Sequence, residues 1–401
     1  MAIFWRFTVK NSNARPAQLT FLKTALSLAC LASAVSAYSS ENFRSRQSPI
    51  GAFGGEIAAG ADNPGLFGTA AITRLDIASV VDSNGFDITT PTTAKLPGGF
   101  TLNAPGNKIS FHQTQTQVNL IGGYLTESTY ANGRIAMVVN VPLITISRSF
   151  VGALATGSLR TPTGITLPAA FIQPDPINPG STYNPTTRAN EGVNAQWASS
   201  VASQNGDVSG VGDTELSAVW IRHQDRLKVA AGVSLFVPTG VYEKTRGPNP
   251  GFGNFYTLRP GVAVTYNLNP NHKDESWDAG VTVAGRISYG MNSTNKETDY
   301  RSGNFVYTEV GVVKVAGDWA FGANLLSTQQ VTDDTGPVVG TSCLGSVDAA
   351  GCRYKTYGVG PFVAYKLPGK DAGFNLQYNE NFGGSNAVVV KSWQLRFVKA
   401  W

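Results

Sequence analysis

Few residues of this chain have the types and spacing needed for catalysis. The three histidines, His112, His223 and His272, are far apart in the sequence. A serine hydrolase needs a nucleophilic serine, a histidine base and a third polar residue that orients the histidine. Ser110 and His112 would share one face of a strand about 6 to 7 Å apart. No third member is evident, so the sequence does not indicate an enzyme and we predict no catalytic residues.

Charged residues that alternate onto one face of predicted strands form a second candidate group. In a membrane barrel, charge is tolerated on the inner face, where it sets selectivity or fills the interior by pairing. The sequence leaves open whether these residues narrow a passage or form a closed, salt-bridged core. The predicted lumen-lining residues are Asp213, Glu215, Lys228, Arg259, Arg286, Glu309 and Arg396.

Metal and cofactor sites are not indicated. The acidic pairs Asp274 with Glu275 and Asp333 with Asp334 lie in predicted connections. A cation could bind there, but no spacing of oxygen ligands accompanies either pair, so solvated loop charge is the expected explanation. No phosphate-binding glycine loop or CxxC pair occurs. We therefore predict neither a metal nor a cofactor.

The N-terminal segment has the composition of a secretory signal peptide. Residues 1–23 contain four basic and no acidic residues, an apolar run covers 25–32, and small residues precede a predicted cleavage after Ala37. The apolar run is shorter than the roughly 18 residues of a membrane-spanning helix. A lipoprotein signal ending at Cys30 is the weaker alternative. Loss of the four basic residues lowers the formal net charge from +5 to +1, which gives no reason to expect a nucleic-acid partner.

Two cysteines remain after this cleavage, Cys343 and Cys352, and they enclose a Gly- and Ala-rich segment. In an oxidising compartment, a disulfide closing this loop is the expected state. A metal or redox pair would need a tighter spacing or nearby histidines.

The elements that carry these residues are predicted to be strands of a membrane barrel. Only 14% of the residues are charged, about half the usual share, yet no apolar run after the signal is long enough for a transmembrane helix. Runs of 12 to 18 residues alternate apolar with small or polar residues. The C-terminal segment 393–401 alternates in this way, with Lys399 as the one exception on its apolar face, and ends on the aromatic Trp401. This pattern is typical of a strand with one face in lipid and one in water.

We predict an all-β fold, a transmembrane antiparallel β-barrel of about 12 strands (range 10–14) with long extracellular loops. Short connections near 224, 317 and 369 would face the periplasm, and long ones at 81–107, 150–209 and 332–352 would be extracellular. The predicted strands lie near 66–80, 108–126, 133–149, 210–223, 226–239, 253–268, 276–291, 303–315, 318–331, 353–367, 372–382 and 387–401.

Two segments outside the strands remain open. Residues 38–65 are either an irregular periplasmic segment or a plug in the barrel, which itself spans 66–401. The loop 150–209 is either a constricting lid or a mobile surface loop. Residues 195–202 within that loop are predicted to form one or two helical turns.

From Gly210 onward the chain resembles the family of outer-membrane proteins named for the meta pathway of phenol degradation. The resemblance rests on Gly210–Asp213, Leu235–Glu243, Thr298–Gly303 and Gln329–Asp334, in this order. It covers about the last half of the chain, and the loop 150–209 departs from the shorter family connection. The resemblance implies an outer-membrane barrel that passes small hydrophobic molecules inward, with no catalysis.

We therefore expect a channel or transporter of the bacterial outer membrane for small hydrophobic or aromatic solutes. Its other expected partners are outer-membrane lipid and, through Trp401, the barrel-assembly machinery. The alternatives are a closed structural or surface-interaction barrel and, as a minor one, an outer-membrane lipase.

Overall fold

The structure is a computed structural model that describes residues 64–82, 84–87, 93–96, 99–106, 108, 110–151, 156–175, 178, 180–202, 204–270, 276–336 and 353–401. The predicted signal peptide, nearly all of the segment 38–65 and the predicted disulfide between Cys343 and Cys352 lie outside the described residues. The acidic pair Asp274 and Glu275 lies outside them as well.

The described chain is almost entirely β-structure, with one helix. The strands are β1 (Gly65–Val81), β2 (Thr93–Lys95), β3 (Thr101–Asn103), β4 (Ser110–Leu125), β5 (Arg134–Val151), β6 (Ser158–Arg160), β7 (Gln173–Pro174), β8 (Thr182–Tyr183), β9 (Gly206–Val211), β10 (Thr214–Gln224), β11 (Leu227–Val237), β12 (Thr257–Asn267), β13 (Val281–Asn292), β14 (Phe305–Ala316), β15 (Trp319–Gln330), β16 (Lys355–Lys366), β17 (Ala372–Ser385) and β18 (Ala387–Ala400), and the helix is α1 (Pro185–Ala202).

Twelve long strands form a closed antiparallel barrel. Each of β10 to β18 pairs with the next, β18 pairs with β1, and the sheet continues through β4 and β5 back to β10. The pairing of β5 with β10 closes the ring, so the barrel has no free edge along these strands. The predicted fold class and strand number are confirmed.

The connections alternate in length, as the prediction required. Two-residue turns at Asp225–Arg226 and Gly317–Asp318 lie at the end that holds the C-terminus. Asp225 and Gly317 have φ values of 47° and 61°, the left-handed conformation that such tight turns use. The long connections after β1, β5 and β15 lie at the opposite end.

The outer face of the barrel is apolar across its middle. In β12, Leu258, Val262, Val264 and Tyr266 point outward and are 39 to 45% exposed. The intervening residues Thr257, Arg259, Ala263 and Thr265 point inward and are buried. β11 and β18 alternate in the same sense, with exposed residues on the outer face and buried residues on the inner face.

Aromatic rings border this apolar band at both ends. Near the extracellular end, the ring of Tyr378 lies 4.8 Å from that of Trp393. Near the periplasmic end, Phe374 lies 5.1 Å from Phe397, which is four residues before the exposed Trp401. Trp393 and Trp401 are separated by about 20 Å along the barrel axis for a rise of roughly 3.3 Å per residue and a tilt of about 40°. That distance suits the apolar part of an outer membrane.

Beyond Trp393 the two faces of the longest strands exchange their polarity. β1, β4 and β5 have 17, 16 and 18 residues, whereas β10 to β12 have 11 each. In their upper parts, Arg74, Asp76 and His112 point outward, while Leu75 and Ile77 are buried inside. On β1 the wall above the membrane is therefore polar outside and apolar inside, as in a soluble sheet, whereas the inner face of β4 carries Gln113 and Gln115 at this level.

The loop 150–209 differs from its prediction. The expected one or two turns at 195–202 are an 18-residue helix. Asn184 caps its first turn, since its Oδ1 accepts the Thr187 N–H at 3.1 Å, and Pro185 is the first helical residue. The predicted strand 210–223 is also divided: β9 pairs with the upper part of β5 and β10 with its lower part, with a break at Gly212–Asp213.

Helix α1 is fastened to the rim of the barrel. The side chain of Asn205 bonds both the N–H and the C=O of Phe150, at 2.5 and 3.0 Å. At its other end, Asn190 bonds the backbone of Gly157. The helix packs on Leu102 of the small sheet formed by β2, β3 and β6. No described helix is both long and apolar enough to cross a membrane.

Candidate functional site: a polar belt inside the barrel

The lumen contains a ring of buried polar side chains halfway along the barrel. Eleven of the twelve strands contribute polar side chains to it. β16 contributes Gly360, where a Cβ atom would collide with the amides of Asn324 and Asn379. We call this ring the polar belt; it consists of Thr73, Gln117, Asn119, Asn140, Glu215, Ser217, Ser234, Arg259, Arg286, Ser288, Tyr307, Glu309, Asn324, Gln377, Asn379, Gln394 and Arg396.

Two ion pairs lie within the belt. Arg259 Nη2 is 2.7 Å from Glu215 Oε1, and both side chains are buried. Arg286 Nη2 is 2.8 Å from Glu309 Oε2, directly across the β13–β14 pair. In the low-dielectric interior such pairs interact more strongly than on a surface, although both charges lose their hydration.

The first ion pair spans a whole strand. Arg259 on β12 reaches Glu215 on β10 by passing over β11, where its register partner is the small residue Ser234. Ser234 bonds Ser217 at 2.7 Å and so keeps its own side chain close to the wall. A larger residue at position 234 would block the path of the guanidinium.

The carboxylate of Glu309 interacts with three side chains of the belt. Besides Arg286, it accepts hydrogen bonds from the Tyr307 hydroxyl at 2.6 Å and from Asn324 Nδ2 at 2.5 Å. Asn324 in turn accepts from Gln377 at 3.3 Å. A charge with several donors is stabilised in a buried site. Through Asn324, the hydrogen-bond network of Glu309 links side chains of β13, β14, β15 and β17.

A line of amides descends to the belt along β4. Each side chain donates its N–H to the oxygen of the next, from Gln113 to Gln115, Gln117, Asn119 and finally Asn140, at 2.9 to 3.5 Å. Arg148 donates to Gln113 at its upper end, at 2.7 Å. The amide dipoles therefore all point the same way, with their positive ends toward the side of the belt that holds Glu215.

Apolar layers lie above and below the polar belt. The upper layer, toward the extracellular end, contains Leu75, Ile77, Phe111, Phe150 and Val390, and Phe111 packs edge-on against Phe150 at 5.7 Å. The lower layer contains Phe67, Ile121, Val138, Ile221 and Phe362 among others. The lumen thus has an apolar cluster on each side of the belt, with the amide line of β4 beside the upper cluster and Lys228 in the lower part.

One small cavity opens beside the two belt arginines. Its volume is about 50 Å³, and it lies against β11, β12 and β13. Ser234, Arg259, Arg286 and Ser288 supply its polar lining. A cavity of this size holds about three or four water molecules.

Five of the seven predicted lumen residues meet in the belt: Glu215, Arg259, Arg286, Glu309 and Arg396. Lys228 points inward but lies near the periplasmic end of β11, opposite Thr265. Asp213 is placed elsewhere, since it lies in the break between β9 and β10 and accepts the Gly240 and Phe252 N–H groups, each at 3.0 Å. Asp213 thereby connects two of the family-like segments instead of lining the belt.

The acidic pair Asp333 and Asp334 does not behave as solvated loop charge. Asp334 is 4% exposed and accepts hydrogen bonds from the Tyr300 hydroxyl and the Gly303 N–H, so that expectation was wrong for Asp334. Burial raises the pKa of Asp334, whereas a hydrogen bond from Arg353 lowers the pKa of Asp333. Among the described residues, no three His, Cys, Asp or Glu side chains are grouped to hold a metal.

The histidine considered for hydrolysis lies on the outside of the barrel. His112 Nε2 is 3.2 Å from Asp76 Oδ1, and both side chains are more than half exposed. Within the described part of the chain, no serine hydroxyl lies within hydrogen-bond distance of this ring. The arrangement orients a histidine but supplies it with no nucleophile.

Sequence reasoning missed the amide line, the small residues that make room for the belt and the partner of His112. The amide line has a visible signal, because Gln113, Gln115, Gln117 and Asn119 are alternate residues of one strand. The link between His112 and Asp76 depends on the register of β1 with β4, which the pattern of either strand does not determine.

A closed barrel of twelve strands with a lipid-facing band, aromatic borders and a polar belt defines the class: it is an integral β-barrel protein of the bacterial outer membrane. The profile of the family described as "Putative MetA-pathway of phenol degradation" matches residues 181–397, and the chain belongs to this family. No curated protein matches the chain at a significant level.

Solved barrels resemble the chain at low sequence identity. An outer membrane channel from Pseudomonas putida F1 superposes with a TM-score of 0.55 and 14% identity, covering 85% of this chain and 97% of that chain. The toluene transporter TodX of Pseudomonas putida gives a TM-score of 0.35 and 10% identity over 84% of this chain and 89% of its own. The β domain of the Bordetella autotransporter BrkA gives 0.39 and 10%, over 85% and 100%. The last two resemblances are too weak to bear on function.

Proposed function

We propose that the protein is an outer-membrane channel through which small hydrophobic or aromatic compounds enter the cell. The observation that carries this proposal is the arrangement of the lumen, in which apolar clusters lie above and below a polar belt. The family description, which refers to phenol degradation, and the resemblance to an outer membrane channel support the same function.

The layers suggest how such a solute would move. An apolar compound gains free energy when it leaves water for the upper layer, at about 25 cal/mol per Å² of apolar surface. The belt is the barrier to further passage, because its ion pairs and amides must separate or move aside. The lower layer then receives the solute before it enters the periplasm.

The buried ion pairs favour a role beyond filling space. Replacing buried ion pairs by well-packed apolar residues is often neutral or stabilising in other proteins. A barrel that needed only a stable interior would gain little from Glu215, Arg259, Arg286 and Glu309 between two apolar layers. A belt that must open and close has a reason to keep them.

A second candidate is a closed barrel that serves as a structural or surface-interaction protein. The near-complete burial of the belt favours it, since Glu215, Glu309 and Arg396 are at most 1% exposed. This candidate requires that no solute or ion crosses the belt.

The deciding experiment is single-channel conductance of the refolded mature protein in a planar bilayer, with and without phenol or toluene. Steady openings that the aromatic compound partly blocks would support the channel. A silent membrane with verified insertion would support the closed barrel.

A pair of double variants makes the test specific. The variant Glu215→Gln with Arg259→Gln removes an ion pair from the belt and should increase conductance. The variant Glu380→Gln with Lys391→Gln removes a pair of similar length, 3.0 Å, from the exterior of the barrel. Conductance should not change in the exterior variant; equal changes in both would argue against the belt as the barrier.

Two further partners belong to this proposal. Outer-membrane lipid would cover the apolar band, and the barrel-assembly machinery would recognise the last strand with its exposed Trp401. Deleting Trp401 should lower the amount of assembled barrel in cells without preventing refolding in detergent. Unchanged assembly in cells would contradict this role.

A further inference from the structure

The cavity beside Arg259 and Arg286 has the chemistry of an anion-binding site. Its lining brings together two guanidinium groups from adjacent strands and two serine side chains, in a position shielded by the apolar layers. We infer that this cavity binds the carboxylate group of a small aromatic acid, and, resting on the channel function proposed above, that the channel prefers aromatic carboxylates to neutral aromatic compounds.

The hydrogen-bond donors of the cavity are suited to a carboxylate. A guanidinium carries five N–H groups in one plane, a geometry that matches the two oxygens of a carboxylate, and Arg259 and Arg286 both line the cavity. The Ser288 hydroxyl is buried, lines the cavity and has no hydrogen-bond partner within the described structure. A buried hydroxyl without a partner is costly, and a bound carboxylate oxygen would satisfy it.

The surroundings are suited to the ring of the same ligand. The aromatic ring of Phe236 lies 5.0 Å from the Arg259 guanidinium, and that of Tyr307 lies 5.0 Å from the Arg286 guanidinium. About 50 Å³ accommodates a carboxylate but not a complete ring, so the ring would extend out of the cavity into the lumen. The carboxylate therefore has a counterpart in the cavity, and the two aromatic rings lie against the guanidinium groups that would bind it.

Glycines on two strands leave the space for the cavity. Gly232 on β11 and Gly261 on β12 are register partners, and both belong to the lining. Side chains at these inward positions would occupy the volume that the carboxylate needs.

Binding of 4-fluorobenzoate to the refolded mature protein in detergent micelles, followed by ¹⁹F NMR, tests the inference. The neutral isostere 4-fluorobenzamide is the matched ligand, because it has the same ring and nearly the same shape. We expect saturable binding of the benzoate and at least about tenfold weaker binding of the benzamide, since only the anion interacts with charged donors. Equal affinities for both ligands would overturn the inference.

Variants locate the site. Ser288→Ala should weaken benzoate binding about tenfold, as expected for one hydrogen bond to a charged group. Ser392→Ala removes another buried, inward-facing serine, outside the cavity, and should leave the affinity unchanged. The double variant Arg286→Gln with Glu309→Gln removes one guanidinium together with its carboxylate partner, and should weaken benzoate binding more than Ser288→Ala. Unchanged binding in both cavity variants would refute the site.

The conductance experiment separates this inference from the channel proposal. Ionic current that benzoate and benzamide block equally would refute the carboxylate preference while the channel stands. Specific benzoate binding in a protein that never conducts would leave the binding site standing and refute passage through it.

Discussion

The Tyr300 hydroxyl donates a hydrogen bond to Asp334 Oδ2 at 2.5 Å, and this bond joins two extracellular loops that are 34 residues apart at these positions. Asp334 also accepts from the Gly303 N–H and from Gln330 Nε2, at 2.6 and 2.7 Å. One carboxylate therefore links both loops, beside the two backbone hydrogen bonds between Arg301 and Thr335, at 2.7 and 2.9 Å.

Tyr300→Phe should loosen these loops while the barrel stays intact. The variant removes the hydroxyl and leaves a buried carboxylate with one donor fewer, at a cost of about 1 to 3 kcal/mol in local stability. Hydrogen exchange should speed up in 293–304 and 331–336 and stay unchanged in β14. Tyr256→Phe, at an outward-facing and 42% exposed position, is the control and should change neither segment. Equal protection in the wild type and Tyr300→Phe would contradict the role of this bond.

The contact between the two loops should become less stable as the pH rises. Burial raises the pKa of Asp334 in the folded loops above the ordinary value of about 3.9. The closed arrangement therefore holds a proton more tightly than the open one. Its stability is greatest below about pH 3.9 and declines as the pH increases through the folded pKa. Exchange protection of 298–304, corrected for intrinsic rates, should fall over this interval.

Two variants check the assignment of this pH dependence. Asp334→Asn should abolish the decline of protection with rising pH. Asp333→Asn should preserve the decline, because Arg353 lowers the pKa of Asp333 and its contribution has the opposite sign. Protection that increases with pH in the wild type would show that Asp334 does not dominate.

Removing one partner of the Arg259–Glu215 ion pair should destabilise the barrel more than removing both partners. Arg259→Gln leaves Glu215 buried without its cation and should destabilise the barrel by about 3 to 5 kcal/mol. The double variant with Glu215→Gln leaves no charge and should cost much less. Urea unfolding in lipid vesicles, followed by tryptophan fluorescence, measures both. A double variant as unstable as the single one would mean that the amides cannot pack in this space.

Asn205→Ala should release helix α1 from the barrel rim. The variant removes both hydrogen bonds to the Phe150 backbone, each worth about 1 kcal/mol. Limited proteolysis should then cut within 156–205 earlier than in the wild type. Asn194→Ala on the same helix is the control for a general loss of helix stability, and should cause a smaller change. Cleavage at the same rate in the wild type and Asn205→Ala would show that other contacts hold the helix.

Most strands of the barrel could be predicted from the sequence because each strand repeats the same simple pattern. Lipid on one side imposes an apolar residue at every second position, as from Leu258 to Tyr266, and the alternation fixes which residues point inward. The five belt charges could therefore be assigned to the lumen. Their pairing could not, because Glu215 and Arg259 lie on strands that are not neighbours and meet only once the barrel has curved.

The predicted helix was too short, although the residues at the true start of α1 are typical of a helix N-terminus. Asn184 followed by Pro185 is a typical N-cap and first position. The helix has little amphipathic character, however, so the periodicity that usually reveals a helix is weak here. Its position depends on Asn190 and Asn205, whose backbone partners 33 and 55 residues away could not be inferred from sequence.

The reversed polarity of the wall above Trp393 has a consequence for kinetics. A solute that reaches Phe111 and Phe150 has already left water before it arrives at the level of the lipid. Its dehydration is thus separated in space from its crossing of the belt. Substitutions in the upper wall would change how often molecules are captured at low external concentration, whereas substitutions in the belt would change the maximal turnover once capture is saturated.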